Sequence, residues 1–258
     1  MLRKWCRKVI AKSGKQFIKH AGYHADYGFF TIHAPPFLKD ESFLKSYRRS
    51  LSTVHDRDPG YPWRIHVAHW AAGVASKLHG DFVECGVHVG FISTSIMSYL
   101  DWNTVNKRYF LIDTFQGPDV SQFTAEEVEQ GRKKEVERLQ SIGGYDYDLP
   151  AVETNFREWE RVVFVKGLIP DVLHSVDVQS VAFLHIDLNC AAPEIAAVNY
   201  FWDAIVPGGV ILLDDYAFKG FEIQGREMRK LAGEKGTGIL SLPTGQGVMV
   251  KPPSSKTN

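Results

Sequence analysis

From Tyr61 onward the chain alternates short apolar runs with segments of helical spacing, and this alternation constrains its fold more than any other feature. The runs are Asp81 to Cys85, Tyr109 to Asp113, Val162 to Lys166, Val181 to Asp187 and Val210 to Asp214. Ile65 to Leu78, and the stretch that opens after Gly90 and runs through Ile96, carry apolar residues at helical intervals. Short apolar runs suit strands buried on both faces, and the helical segments between them suit crossovers joining parallel neighbours. The end of the chain differs. Ile239 to Leu242 and Val248 to Lys251 are joined by PTGQG, too short for a crossover, so they pair as an antiparallel hairpin at one edge of the sheet. The pattern predicts an α/β fold with a mostly parallel sheet.

The domain organisation follows from where this regularity begins and where it is interrupted. Residues 61–258 form one large α/β domain, a size at which a full core can be buried. Within it, 119–161 holds many charges, a Gly143-Gly144 break and a helical VETNFREWE segment, and an insertion of that length suits a lid. Residues 1–60 stand apart. The first twenty carry seven Lys or Arg and no acid, with Leu2, Trp5, Cys6, Val9 and Ile10 at helical spacing. Such a basic helix packs on the domain or on a second subunit with its charges solvated; the alternative is peripheral contact with an anionic membrane. Residues 21–60 show no clean period and read as an irregular cap.

Composition excludes several classes of partner. Thirty basic residues balance thirty acidic ones, so no global field draws in nucleic acid. No apolar run approaches the roughly 20 residues that span a bilayer. The three cysteines, Cys6, Cys85 and Cys190, are odd in number and lack zinc spacing, which fits a reducing, cytoplasmic setting better than a disulfide framework.

Two features carry chemistry. Glu84-Cys85-Gly86-Val87-His88-Val89-Gly90 follows the first strand and opens a helix, so its glycines let backbone approach a ligand with an anionic group at the helix N-terminus. It is not the three-glycine dinucleotide fingerprint. The next strand ends in Asp113 and Thr114, where a carboxylate accepts hydrogen bonds from ribose hydroxyls. Together these suggest an adenosine cofactor. The second feature is HIDLN and LLDDY. Asp187 ends one strand and Asp214-Asp215 the next, so on neighbouring strands about 4.8 Å apart their carboxylates converge. Three like charges either hold protons or are neutralised by a cation. An all-oxygen set suits magnesium or another hard divalent ion, with Asp187, Asp214 and Asp215 as ligands. The bland alternative has these aspartates satisfying loop donors.

In this order and spacing, GDFVECGVHVG, LIDTFQG, VETNFREW, HIDLN and VPGGVILLDDY resemble the macrocin O-methyltransferase family (TylF/MycF/NovP-type), class I S-adenosylmethionine-dependent enzymes. The resemblance covers about residues 61 to 250. It implies a Rossmann-like, seven-stranded methyltransferase sheet, a homo-oligomer, and magnesium at Asp187, Asp214 and Asp215. It places Glu84, Gly86 and Gly90 in the loop at the methionine side of the cofactor, Asp113 on its ribose, and the Lys166-Gly167 turn near its adenine. The chain departs from the family after Asp187. A second acid two residues on, followed by Tyr-Glu, is usual there, whereas this sequence reads Asn189, Cys190, Ala191 and Ala192. The lysine that related catechol-type enzymes carry three residues after the first aspartate is Cys190 here.

The expected reaction is transfer of the sulfonium methyl to a hydroxyl of a sugar or other polyhydroxylated small molecule, assisted by a divalent cation. Asp187 or a pocket histidine takes the proton. His88 faces the ligand, His185 is a core histidine satisfied by a neighbour, and Cys85 and Cys190 are small packing residues. The alternatives are a metal-independent transferase and a non-catalytic adenosylmethionine-binding protein.

Overall fold

The computed structural model describes residues 24–26, 29–31 and 33–253. The basic segment 1–20, with its expected subunit or membrane contact, lies outside them. A short antiparallel hairpin, His24–Asp26 with Phe29–Thr31, precedes the main fold.

The five predicted parallel runs all form strands: β1 (Asp81–Cys85), β2 (Tyr109–Asp113), β3 (Val162–Lys166), β4 (Val181–Ile186) and β5 (Ile205–Leu213). β5 begins earlier than its apolar run because Pro207-Gly208-Gly209 is absorbed into the strand. β6 (Leu240–Ser241) and β7 (Gly247–Val250) form the expected antiparallel pair. The sheet order is β3-β2-β1-β4-β5-β7-β6, with β7 antiparallel to β5. In this doubly wound order the chain reverses direction of travel between β1 and β4, where open α/β sheets bind ligands at the carboxyl ends of their strands. The register places Cys85 opposite both Ile112 and Ile186, and Ile186 opposite Leu213. The residues that follow these strands therefore share one edge.

Helices cover both faces. On one side α7 (Ala191–Phe201) and α8 (Glu222–Glu234) bury Val198, Phe201, Met228 and Leu231 against Val83, Leu184 and Ile211. On the other, α2 (Pro62–Ala75) and α3 (Phe91–Tyr99) bury Ala68, Ala72, Ile96 and Met97 against Phe82, Leu111 and Phe183. Alternate residues of each strand feed opposite cores, as a two-residue period requires.

The stretch expected to be an irregular cap contains a regular helix, α1 (Glu41–Leu51). The Asp40 side chain caps it, accepting from the Phe43 amide at 2.7 Å. Its buried face is Phe43, Ser46, Tyr47 and Ser50, at helical spacing. Two of these are serines whose hydroxyls bond back to helix carbonyls, so an apolar count does not register the period. Residues 119–161 fold into α4 (Ala125–Glu129), α5 (Arg132–Ser141) and α6 (Leu149–Thr154). The VETNFREWE helix stops at Thr154 because Asn155 turns to donate to the Val89 carbonyl at 3.0 Å and Phe156 enters the core. None of the described helices is long and apolar enough to cross a membrane.

Candidate active site

A cavity of about 650 Å³ opens at the carboxyl edge of the sheet. Of the residues singled out from sequence, Gly86, His88, Asp113, Thr114, Gly167, Asp187, Asp214 and Asp215 line it. Glu84 and Gly90, expected in the loop at the methionine side of the cofactor, are not among the lining residues. Glu84 points into the core and its carboxylate accepts from His185 Nδ1 at 2.9 Å. Gly90 caps α3 with φ of 84°, and a Cβ there would lie 2.4 Å from Phe156. Packing against the phenyl ring, with a left-handed backbone, is what demands glycine.

Gly86 has a structural reason of its own. A Cβ on it would come within 1.8 Å of the Asp187 carbonyl oxygen, so the loop after β1 lies directly on the chain leaving β4. Asp113 holds that loop from the other side. Its Oδ2 accepts from the amides of Val87 at 2.6 Å and His88 at 2.9 Å, and its Oδ1 from Phe115 at 2.7 Å. Asp113 thus shapes the glycine loop whatever it offers a ribose.

The three aspartates line one cavity, as their strand positions require, and a residue not singled out from sequence lies among them. Arg64, buried at the start of α2, forms an ion pair with Asp214 Oδ2 and reaches within 3.8 Å of Asp215 Oδ1. Asp214 Oδ1 accepts from Gln246 Nε2 at 2.9 Å. Both oxygens of Asp214 are therefore engaged by the protein. Burial alone would lower the Arg64 pKa, but the charges of Asp214, Asp215 and Asp187 raise it overall, so the guanidinium stays charged. One positive charge does not neutralise three carboxylates. Burial, followed by the charge of Asp214, pushes Asp215 up to about 7. Burial and the neighbouring aspartates push Asp187 well above the usual carboxylate range. Glu194 on α7, buried behind the cluster, rises to about 8, chiefly through desolvation.

This donor set fits a divalent ion in part. Asp187 and Asp215 face the cavity as oxygen donors, while Asp214 is taken by Arg64 and Gln246. Among the described residues, no three His, Cys, Asp or Glu side chains form a ready metal-holding group.

The insertion roofs the cavity. Thr124 and Glu127 make a capping box at α4, and the second Glu127 oxygen accepts from the Ala191 amide at 2.8 Å, tying the insertion to the start of α7. Phe123 and Val136 pack on Cys190. From the opposite side His88 meets the Gly144 carbonyl at 3.1 Å, its ring edge-on to Tyr147 at 4.7 Å. Facing the cavity, His88 therefore also latches the insertion. His185 is a buried core histidine, as its mid-strand position predicts. Burial pulls its pKa down, and the hydrogen bond and charge of Glu84 raise it above the ordinary value. Cys85 and Cys190 are buried free thiols whose pKa values burial raises, which suits packing and not nucleophilic chemistry.

Arg64, Gln246, Arg132 and Tyr145 carry no motif that marks them in the sequence. The only signal for Arg64 is a charge on an otherwise apolar helix face, shared with Ile65, Ala68 and Ala72.

The model of the macrocin-O-methyltransferase (TylF) family matches residues 67–233. Demethyldecarbamoylnovobiocin O-methyltransferase of Streptomyces niveus is 26% identical over 191 residues, covering 66% of this chain and 71% of that protein. The solved structure of the O-methyltransferase NovP matches with a TM-score of 0.62 at 18% identity, over 76% of this chain and 82% of that one. The calicheamicin methyltransferase CalS11 matches with a TM-score of 0.54 at 15% identity, over 88% and 99%; its apo structure is described as that of a TDP-rhamnose 3'-O-methyltransferase. With the cavity at the switch point of a sheet of this order, these matches lead to one conclusion: the chain belongs to the macrocin-O-methyltransferase (TylF) family and is an S-adenosylmethionine-dependent O-methyltransferase.

Proposed function

We propose that the acceptor is a hydroxyl of a sugar or other polyhydroxylated small molecule and that Asp187 takes its proton. The observation that carries this reading is the opening of Asp187 and Asp215 into the same cavity as Gly86, Asp113 and Gly167. The cofactor occupies the end formed by the loops after β1, β2 and β3, with its ribose at Asp113 and Thr114. The acceptor lies toward the aspartates and the insertion. Sugar chemistry is supported by the relatives named for novobiocin and TDP-rhamnose methylation.

In the reaction the acceptor oxygen attacks the sulfonium methyl, the C–O bond forms as the C–S bond breaks, and S-adenosylhomocysteine leaves with the sulfur electron pair. The hydroxyl proton passes to an Asp187 oxygen. Burial and the neighbouring aspartates raise the Asp187 pKa, which makes its carboxylate a stronger base than an ordinary one. A divalent cation would be held by Asp187 and Asp215 with Asp214 beside them, and when bound it supplies Lewis acidity to the acceptor hydroxyl. The Arg64–Asp214 pair favours a second reading, in which the guanidinium is the cluster's resident cation and transfer needs no metal.

The test couples binding with turnover. Asp187→Asn should bind S-adenosylhomocysteine within a few-fold of wild type while methyl transfer to the acceptor falls by roughly 100-fold or more, the usual worth of a general base. Unchanged turnover removes Asp187 from its role. Chelation with EDTA separates the two metal readings: a rate restored only by added magnesium supports the ion, and an undiminished rate supports Arg64 alone.

A further inference from the structure

Arg132 is placed where local energetics disfavour it. It is the first residue of α5, where the helix dipole repels a cation. Its guanidinium carbon lies 3.6 Å from the centroid of the Phe221 ring. One terminal nitrogen makes a long contact, 3.4 Å, with the neutral amide oxygen of Asn189. Its Nε is buried with no hydrogen-bond partner, and no ion pair involves Arg132 among the described residues. A half-buried cation with an orphaned donor calls for a partner. Arg132 and Asn189 both line the cavity, with Lys219 on the loop between Phe218 and Phe221.

Position 189 explains why the charge remains available. Asn189 stands two residues after Asp187 with φ of 64°, a conformation that aspartate also tolerates. An aspartate there would take the guanidinium as a direct ion pair, but asparagine leaves it with only the more distant charges of Asp215 and Glu135. Resting on the methyltransferase reading, we infer that Arg132, assisted by Lys219, binds an anionic substituent of the acceptor, so that the acceptor is a phosphorylated or carboxylated sugar.

The test is calorimetric titration of the full-length protein, saturated with S-adenosylhomocysteine, using glucose 1-phosphate, glucuronate and glucose as probes. Wild type should bind the charged sugars at least about tenfold more tightly than glucose, the ordinary gain from a charge-assisted hydrogen bond. Tighter binding of glucose 1-phosphate assigns a phosphate, and of glucuronate a carboxylate. Arg132→Gln should erase the preference while leaving glucose and S-adenosylhomocysteine binding unchanged. Asn189→Asp should erase it too, by pairing Arg132 internally and by setting a negative charge beside the bound anion. Equal binding of the three probes by wild type, or an unaltered preference in Arg132→Gln, overturns the inference. Affinity for S-adenosylhomocysteine is the separate readout of the methyltransferase reading, so the anion site can fail while that reading stands.

Discussion

A guanidinium buried among three carboxylates sets the electrostatics of the cavity. The strand-end aspartates were legible in the sequence because each closes an apolar run, and strand adjacency then forces them together. The sequence favoured a cation without showing its source; the structure sets the Arg64 guanidinium beside Asp214, and burial with the neighbouring charges raises the pKa values of Asp187 and Asp215. Arg64 is 150 positions from Asp214, and no spacing rule connects an arginine on a covering helix with an acid at a strand end. Removing one member of a buried ion pair strands the other. Arg64→Leu should therefore destabilise the protein by about 3 kcal/mol or more, measured by urea denaturation at neutral pH. A loss under about 1 kcal/mol, the level of an exposed pair, would show that water reaches Asp214 freely.

Among the elements, the strands were the most legible and the cap the least. β1, β2 and β3 occupy their predicted spans because short apolar runs mark them, β1 and β2 buried within the sheet and β3 half-buried at its edge. α1 is hidden from an apolar count because serines that satisfy themselves share its buried face. The glycine loop was legible as a site, yet its glycines answer largely to the protein. Gly86→Ala sets a Cβ against backbone that cannot swing aside, so both thermal stability and S-adenosylhomocysteine affinity should fall sharply. A variant with wild-type melting and affinity would mean that the loop relaxes away from Asp187. The insertion, anticipated as a lid, is pinned through Glu127 and the Ala191 amide. Glu127→Ala removes the capping box and this tie together. Hydrogen exchange across 125–141 should rise by about tenfold or more, since each lost tie is worth on the order of 1 kcal/mol, with S-adenosylhomocysteine affinity little changed. Unchanged exchange would assign the docking to Phe123, Val136 and Cys190 instead.

At the scale of the whole molecule, the site's acids tie stability to pH in an unusual direction. Asp215 is pushed up to about 7 and Glu194 to about 8, and Asp187 is raised as well. In the unfolded chain these groups ionise near pH 4. A raised folded-state pKa means that the native protein binds more protons than the unfolded chain between the two values, so stability falls as pH rises through that window. His185 acts with the same sign: its raised pKa makes its contribution complete below its unfolded value and lost as pH rises through the folded one. The ligand-free protein should thus be more stable near pH 5.5 than near pH 8.5 by a few kcal/mol, because a tenfold difference in proton affinity between the folded and unfolded chain is worth about 1.4 kcal/mol. Asp215→Asn removes one of these charges without changing the side chain's size. It should flatten the profile and raise the melting temperature at pH 8.5 by about 2 °C or more, even as it impairs methyl transfer. Urea titrations across this pH range would decide the matter. A wild-type profile that climbs toward alkaline pH would show that the aspartates are neutralised within the fold, and that Arg64 meets their charge without protons.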